Sequence, residues 1–451
     1  MSTTQQPAPP GAESAPYAPR TVRRAMLAGS IGTLIEYYDF SVYGYLAVAI
    51  APQFFPSDDP AASTLAALAV FATGLVVRPV GGVFFGWIGD RWGRRKALVS
   101  SVLCMGVASS ITGLLPTYSQ IGVVAAVLLF LTRLVQGVSS GGESVGAYTY
   151  IYESAPPRRR AFLGAVTPIG SNLGFMFAAA TAGAISALTT KEQMADWGWR
   201  LPFLMAVPLT LVCLWARLRI EDTPEFEEAA RRADIPAAPI REVLSTHRVA
   251  LLQSIGLAMA QGGAIFLGLT YIGIYLSTNL GYDPTLVFWL SAGVVLVTVL
   301  LMVPAGWLAA RFGCRRVLMG GLLGFLVTAY PAMMLMGQHS LALAGLAYLL
   351  LMLSSAFVQV PAASLWPHLF ERRVRYTGMA IGYNIGTVLA GGTAPYIAAF
   401  LVERTGNLLS PAFFVMAVCL IGIGVLFTVR TDVQGADRGD RRSPHRANPL
   451  S

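Results

Sequence analysis

The sequence predicts an all-α integral membrane protein of twelve helices, built as two six-helix halves with an internal repeat. Three observations carry this. Of 451 residues, 55% are hydrophobic and only 12% charged, against about a quarter charged in soluble domains. Roughly twelve apolar runs reach the length of about twenty residues that a spanning helix needs. One phrase is also written twice: GWIGDRWGRRK from Gly86 to Lys96 and GWLAARFGCRR from Gly306 to Arg316. Each copy sits where an apolar run meets an arginine cluster, as in internally repeated membrane bundles.

The first run, about 24–50, follows Arg20, Arg23 and Arg24. The second, about 64–89, ends at Arg91, Arg94, Arg95 and Lys96. Runs three and four, about 96–115 and 120–150, precede Arg158, Arg159 and Arg160. Runs five and six, about 162–188 and 199–218, lead into Arg217, Arg219, Arg231, Arg232, Arg241 and Arg248, which read as one further basic cluster. Six more runs follow at about 249–278, 286–309, 316–337, 341–367, 376–402 and 411–429, with arginines at 311, 315 and 316 and again at 372, 373 and 375. The other connections are poor in positive charge, holding chiefly Lys191, Arg200 and Arg404. By the positive-inside rule both termini and every even-numbered connection face the cytoplasm of a cell whose plasma (inner) membrane holds the protein.

The polar stretch from Ile220 to His247 divides the runs six and six. Within it Glu225 to Arg232 places acidic residues ahead of basic ones, which predicts a short surface helix. The organisation is then a disordered cytoplasmic segment 1–20, a bundle 21–219, a cytoplasmic linker 220–247, a second bundle 248–429 and a disordered cytoplasmic tail 430–451. The Pro-, Ala- and Ser-rich first twenty residues have no apolar core and so are no secretory signal.

A net charge of +9 invites a nucleic-acid reading, but the arginines fall between apolar runs and not along one polar face, so no nucleic-acid partner is expected. Cys104, Cys213, Cys314 and Cys419 lie far apart without CxxC or Cys/His spacing and read as packing residues. His247, His339 and His368 stand near helix ends and His445 in the tail, so no metal site is expected. Without a GxxxxGK[ST], GxSxG or HExxH motif, neither an ATP-driven pump nor an enzyme is indicated, and no cofactor is implied.

A charge inside a span costs about 2.5–3.5 kcal/mol on insertion scales unless it faces a cavity or a partner. Glu36, Asp39 and Tyr43 are spaced i, i+3, i+7 and share one helix face. Such a face can carry a proton and touch substrate, or it can pin the first helix to Arg78 or Arg133 as a buried charge network. Arg133 opens a face continued by Gln136, Gly137, Ser140 and Ser144; its guanidinium can serve a carboxylate of the protein or clamp an anionic substrate. Arg78 precedes Pro79, Gly81 and Gly82, where small residues let helices approach closely. Glu143 falls on another face of the fourth helix, toward its cytoplasmic end, and suits a gating network. The second half offers Gln261, Gln359, Tyr383 and Asn384, with no acidic residue inside a span. Titration therefore belongs to the first half and neutral hydrogen bonding to the second, and Tyr43, Arg78, Gln136, Gln261, Gln359, Tyr383 and Asn384 are the expected lining of a substrate cavity.

These residues resemble a known family. The turn at Gly86, Asp90, Arg91, Gly93, Arg94 and Arg95 is similar to the signature loop of the major facilitator superfamily, as is RLVQGVSSGGE from Arg133 to Glu143. GTLIEYYDFSVYGYLA from Gly32 to Ala47 and the segment from Val374 to Asn407 resemble the first and eleventh helices of its metabolite:proton symporter family. The resemblance implies the twelve-helix major facilitator fold, a part for Arg133 in proton coupling, and a cytoplasmic gate at the turn of Asp90, Arg91, Arg94 and Arg95, which otherwise serves as a folding and topology element; Glu143 joins that gate by its own position. Two features depart from the pattern. Ala310 stands where Asp90 does in the first copy, and the tail is too short and polar for the coiled coil of osmoregulatory proline/betaine members.

The expected function is proton-coupled uptake of a small polar metabolite, a carboxylate, amino acid or betaine, by a monomer in the bilayer, with Glu36, Asp39 and Arg133 coupling proton to substrate. Proton-coupled export by the same fold and a non-transporting membrane receptor are the alternatives. A receptor of that kind would usually carry a large soluble signalling domain.

Overall fold

The computed structural model describes residues 19–92, 94–154, 160–218, 239–370 and 374–429. The expected surface helix at Glu225–Arg232 and residues 1–18 and 430–451 of the expected disordered ends lie outside the described residues, whereas Pro19 and Arg20, expected to be disordered, begin the first helix. The first half runs α1 Pro19–Phe54, α2 Pro60–Val76 continued as Arg78–Trp92, α3 Arg94–Leu114, α4 Val123–Ser154, α5 Val166–Leu188 and α6 Arg200–Leu204 continued as Ala206–Leu218. The second half runs α7 from Arg248–Phe266 to Tyr275–Asn279, α8 Pro284–Phe312, α9 Cys314–Met336, α10 Leu341–Leu369, α11 from Arg375–Gly386 to Ala394–Thr405 and α12 Ser410–Thr428. Within the expected linker, Pro239–Thr246 forms a short helix.

Among the described residues, eleven helices are long and apolar enough to cross a membrane. α1 is the twelfth span; Glu36, Asp39 and a run of tyrosines dilute its apolar character, which is why it needs partners inside the bundle. The spans agree with the apolar runs to within a few residues, and the interruptions have local causes. Pro79 has no N–H to give the Leu75 carbonyl, so α2 breaks at Val77 and restarts at Arg78. Pro208 does the same to the Leu204 carbonyl of α6, which breaks at Met205.

Within the spanning helices the hydrophobicity pattern gave no sign of three wider, π-helical turns: Leu267–Tyr271 and Tyr275–Asn279 in α7 and Thr387–Gly392 in α11. A backbone carbonyl disturbed at bilayer depth needs another donor. The Tyr348 hydroxyl of α10 supplies one, donating to the Gly268 carbonyl at 2.7 Å.

Within the first half α1 packs on α4 and α5, α2 on α4, and α3 on α4 and α6; in the second, α7 packs on α11 and α12, and α10 on α8 and α9. The halves meet where α5 lies against α8 and α2 against α11, a pair of contacts related by the internal repeat. One buried apolar cluster runs through both halves. Glycines bring α2 and α4 into backbone contact: a Cβ on Gly137 would strike the Gly74 carbonyl, and one on Gly141 the Arg78 carbonyl. That closeness delivers the Arg78 side chain to α1.

Candidate functional site

Three polar clusters lie buried in the first half. In the first, Glu36 of α1 is ion-paired with Arg78, both no more than 1% exposed. Ser144 donates to both Glu36 carboxylate oxygens at 2.7 and 2.8 Å. Arg78 Nε donates to Ser140 Oγ at 3.0 Å, and its guanidinium stacks 4.7 Å over the Phe40 ring. Arg78 Nη1 is buried with no hydrogen-bond partner.

One turn further along α1, Asp39 Oδ1 accepts the Ser109 hydroxyl and, at 3.4 Å, the Gln136 amide. Gln136 also donates to Ser109 Oγ at 3.0 Å. Asp39 Oδ2 has no donor. Arg133 is fully buried, 4.0 Å over the Tyr43 ring, yet none of its three nitrogens has a hydrogen-bond partner. The Tyr43 hydroxyl donates to the Ala67 carbonyl at 2.9 Å.

The third cluster is Glu143 with Arg217, 1% and 2% exposed, and Ser101, which donates to Glu143 Oε2 at 3.2 Å. The sequence reading placed Arg217 in a basic cluster beside the membrane. The structure corrects this, because α6 carries its last turn inward and the guanidinium neutralises a buried carboxylate. The side chains of Asp90, Arg91 and Arg94 lie outside the described residues. Arg95 is exposed and donates to the Leu218 carbonyl.

Between the halves lies a cavity of about 20 Å³, room for about one water. Tyr37, Tyr148, Ser171 and Phe175 line it from the first half, and Gln261, Phe266, Gln359, Tyr383 and Thr387 from the second. Hydrogen bonds close it across the halves: Tyr37 and Tyr383 hydroxyls at 3.1 Å, and Asn172 Nδ2 to Gln359 Oε1 at 2.8 Å. Tyr148, Trp366 and Tyr383 form a triangle with ring centroids 4.8–6.0 Å apart. Gln261 Oε1 is buried without a donor. A larger cavity of about 710 Å³ lies between the halves near the ends of α1, α5 and α7 and the start of α8, with Lys191 and Asp283 among its walls.

Of the expected cavity residues, the structure gathers Gln261, Gln359 and Tyr383. Tyr43, Arg78 and Gln136 belong to the charged clusters beside it. Asn384 donates to the Ala380 carbonyl of its own helix at 2.8 Å and sits near Gly82. Sequence reasoning missed Tyr37, Tyr148, Asn172 and Trp366. Tyr37 adjoins Glu36 and so had a signal, whereas the others look like packing residues in apolar runs. Among the described residues no group of His, Cys, Asp or Glu is placed to hold a metal.

Two halves related by a repeat, closing on a central cavity beside buried charges, define a secondary transporter. The sequence model for the sugar (and other) transporter family matches residues 25–239, and that for the major facilitator superfamily matches 254–449. The chain belongs to the major facilitator superfamily and, within it, to the metabolite:proton symporters. It is 35% identical to the proline/betaine transporter of Salmonella typhimurium over 413 residues, 89% of this chain and 82% of that protein. It is 35% identical to the shikimate transporter of Escherichia coli (strain K12), covering 88% and 92%, and 37% identical to the inner membrane metabolite transport protein YhjE of the same strain, covering 86% and 90%. The proton:xylose symporter XylE bound to 6-bromo-6-deoxy-D-glucose superposes with a TM-score of 0.75 at 16% identity, covering 91% of this chain and 95% of XylE. That likeness shows the fold. The protein is a multi-pass membrane transporter of small metabolites and not an enzyme.

Proposed function

We propose that this protein carries a small carboxylate-bearing metabolite, a zwitterion of the proline or betaine kind foremost, into the cell together with a proton that rides on Asp39. The observation that carries the reading is the bare Asp39 Oδ2 beside an unbonded Arg133. A desolvated anionic oxygen without a donor is costly, and a proton on that oxygen removes the charge. Arg133 is then left to the Tyr43 ring, where a guanidinium is held by the π face. When Asp39 gives up its proton, the guanidinium gains a carboxylate to bind. The protonation state of Asp39 thus selects the partner of Arg133, and a proton can shift the two-state balance of the halves only through such a difference. Glu36 is already satisfied by Arg78 and Ser144 and suits a fixed charge better than a carrier.

Substrate binds in the central cavity, whose aromatic walls and amide oxygens favour a cationic or apolar body. That the relatives are a proline/betaine and a shikimate transporter supports a carboxylate-bearing cargo. Both termini face the cytoplasm, the protein works as a monomer in the inner membrane, and the turn at Asp90 with Glu143 steadies the cytoplasmic side. In proteoliposomes, Asp39→Asn should lose proton-driven accumulation of the substrate while keeping counterflow, and Arg133→Lys should lose accumulation as well because an ammonium lacks the planar fork. Full accumulation by Asp39→Asn would overturn the assignment.

A further inference from the structure

The Glu36–Arg78 pair differs from the Glu143–Arg217 pair, whose arginine also has buried nitrogens without partners, in standing beside a residue that lines the central cavity. Arg78 spends one terminal nitrogen on Glu36 and Nε on Ser140, and the other terminal nitrogen, Nη1, is buried without an acceptor. A buried guanidinium N–H without a well-placed acceptor is expensive, and besides Glu36 and Ser140 the Tyr37 side chain interacts with this guanidinium. Its surroundings offer a ligand. The Tyr37 ring lines the central cavity, and its centroid lies 5.9 Å from the Arg78 guanidinium carbon. The Tyr37 hydroxyl is the group that bonds Tyr383 across the halves.

The cavity itself is too small for a metabolite, with space for about one water. A loaded state must therefore be wider, and the Tyr37–Tyr383 bridge is a joint at which widening separates the halves. The Arg78 guanidinium lies beside one side of that joint, against the Tyr37 ring. Neither arginine lines the cavity itself, but Arg78 lies against Tyr37, which does, whereas Arg133 lies over Tyr43, which does not.

Resting on the transport reading above, we infer that Arg78 anchors the carboxylate of the transported molecule through Nη1 once the Tyr37–Tyr383 bridge parts, while Tyr148, Trp366 and Tyr383 enclose its other end. Glu36 is then the internal stand-in for that carboxylate, holding the guanidinium in place and charge-balanced while the site is empty. The acid is read by a charge-assisted hydrogen bond, which its ester or alcohol counterpart cannot make equally well. Removing Glu36 alone leaves Arg78 without its competitor.

The test is counterflow by purified protein in liposomes with two probe pairs, glycine betaine against choline and shikimate against methyl shikimate. Wild-type protein should prefer the acid of at least one pair by about ten- to a hundredfold, the range for one charge-assisted hydrogen bond. Glu36→Gln should keep or sharpen that preference. The double variant Glu36→Gln/Arg78→Gln, which removes both charges together, should carry acid and analogue alike. If the double variant keeps the wild-type preference, or if Glu36→Gln loses it to the same extent as the double variant, Arg78 is not the anchor and the inference fails while the transport reading stands. If the double variant does not assemble, the Glu36→Gln result alone decides, a lost preference overturning the inference. Transport of none of the four probes by wild-type protein would instead overturn the carboxylate reading on which the inference rests.

Discussion

Removing Arg217 tests the view that the buried charges of the first half are held in neutral pairs. Glu143 is 1% exposed, accepts from Arg217 and takes the Ser101 hydroxyl at 3.2 Å. In Arg217→Met the apolar stem is kept but the carboxylate loses its counter-charge, with one hydroxyl remaining. Breaking a buried pair from one side costs about 3–5 kcal/mol, whereas replacing both partners with neutral groups is often close to neutral. Arg217→Met should therefore lose about 3 kcal/mol or more, and Glu143→Gln/Arg217→Met should recover most of it. Denaturant unfolding in mixed micelles, followed by tryptophan fluorescence, measures the cycle. A loss under about 1 kcal/mol in Arg217→Met, the size expected of an exposed pair, would refute the reasoning. So would a double variant no more stable than the single one.

Gly141→Ala should destabilise the protein by about 1–3 kcal/mol, because the added methyl meets the Arg78 carbonyl; unchanged unfolding would show that α2 and α4 have room to separate. Impermeant thiol labelling in intact cells should modify Asp58→Cys and spare Ser245→Cys, both exposed positions. The reverse pattern would invert the topology.

The fold was legible because a membrane span is written in one variable, the length of an apolar run, and because the basic turn is repeated at Gly86 and Gly306. The i, i+3, i+7 spacing of Glu36, Asp39 and Tyr43 and the face from Arg133 to Ser144 were legible for the same reason: helical geometry is local. Pairing was not. Nothing in one helix says whether Arg78 or Arg133 answers Glu36, and the structure divides them, Arg78 to Glu36 and Arg133 to the Tyr43 ring near Asp39. Arg217 was misjudged because an arginine at a helix end has the same local surroundings whether it points to lipid headgroups or into the bundle. Tyr148, Asn172 and Trp366 gain their meaning only from residues more than a hundred positions away or on another helix, as Asn172 does from Gln359.

The wide turns of α7 alter how the two halves are to be compared. Each π-helical turn takes in about one residue more than a regular turn, so the residues after it are rotated by about 100° relative to the uninterrupted count. Past Leu267, and again past Tyr275, a residue of α7 no longer faces the direction that its repeat-equivalent faces in α1. Transferring a position from one half to the other by counting residues will thus select the wrong face over the last turns of α7. A single-residue deletion within Leu267–Tyr271 would restore the phase as far as the second wide turn at Tyr275, and a second deletion within Tyr275–Asn279 would be needed beyond it.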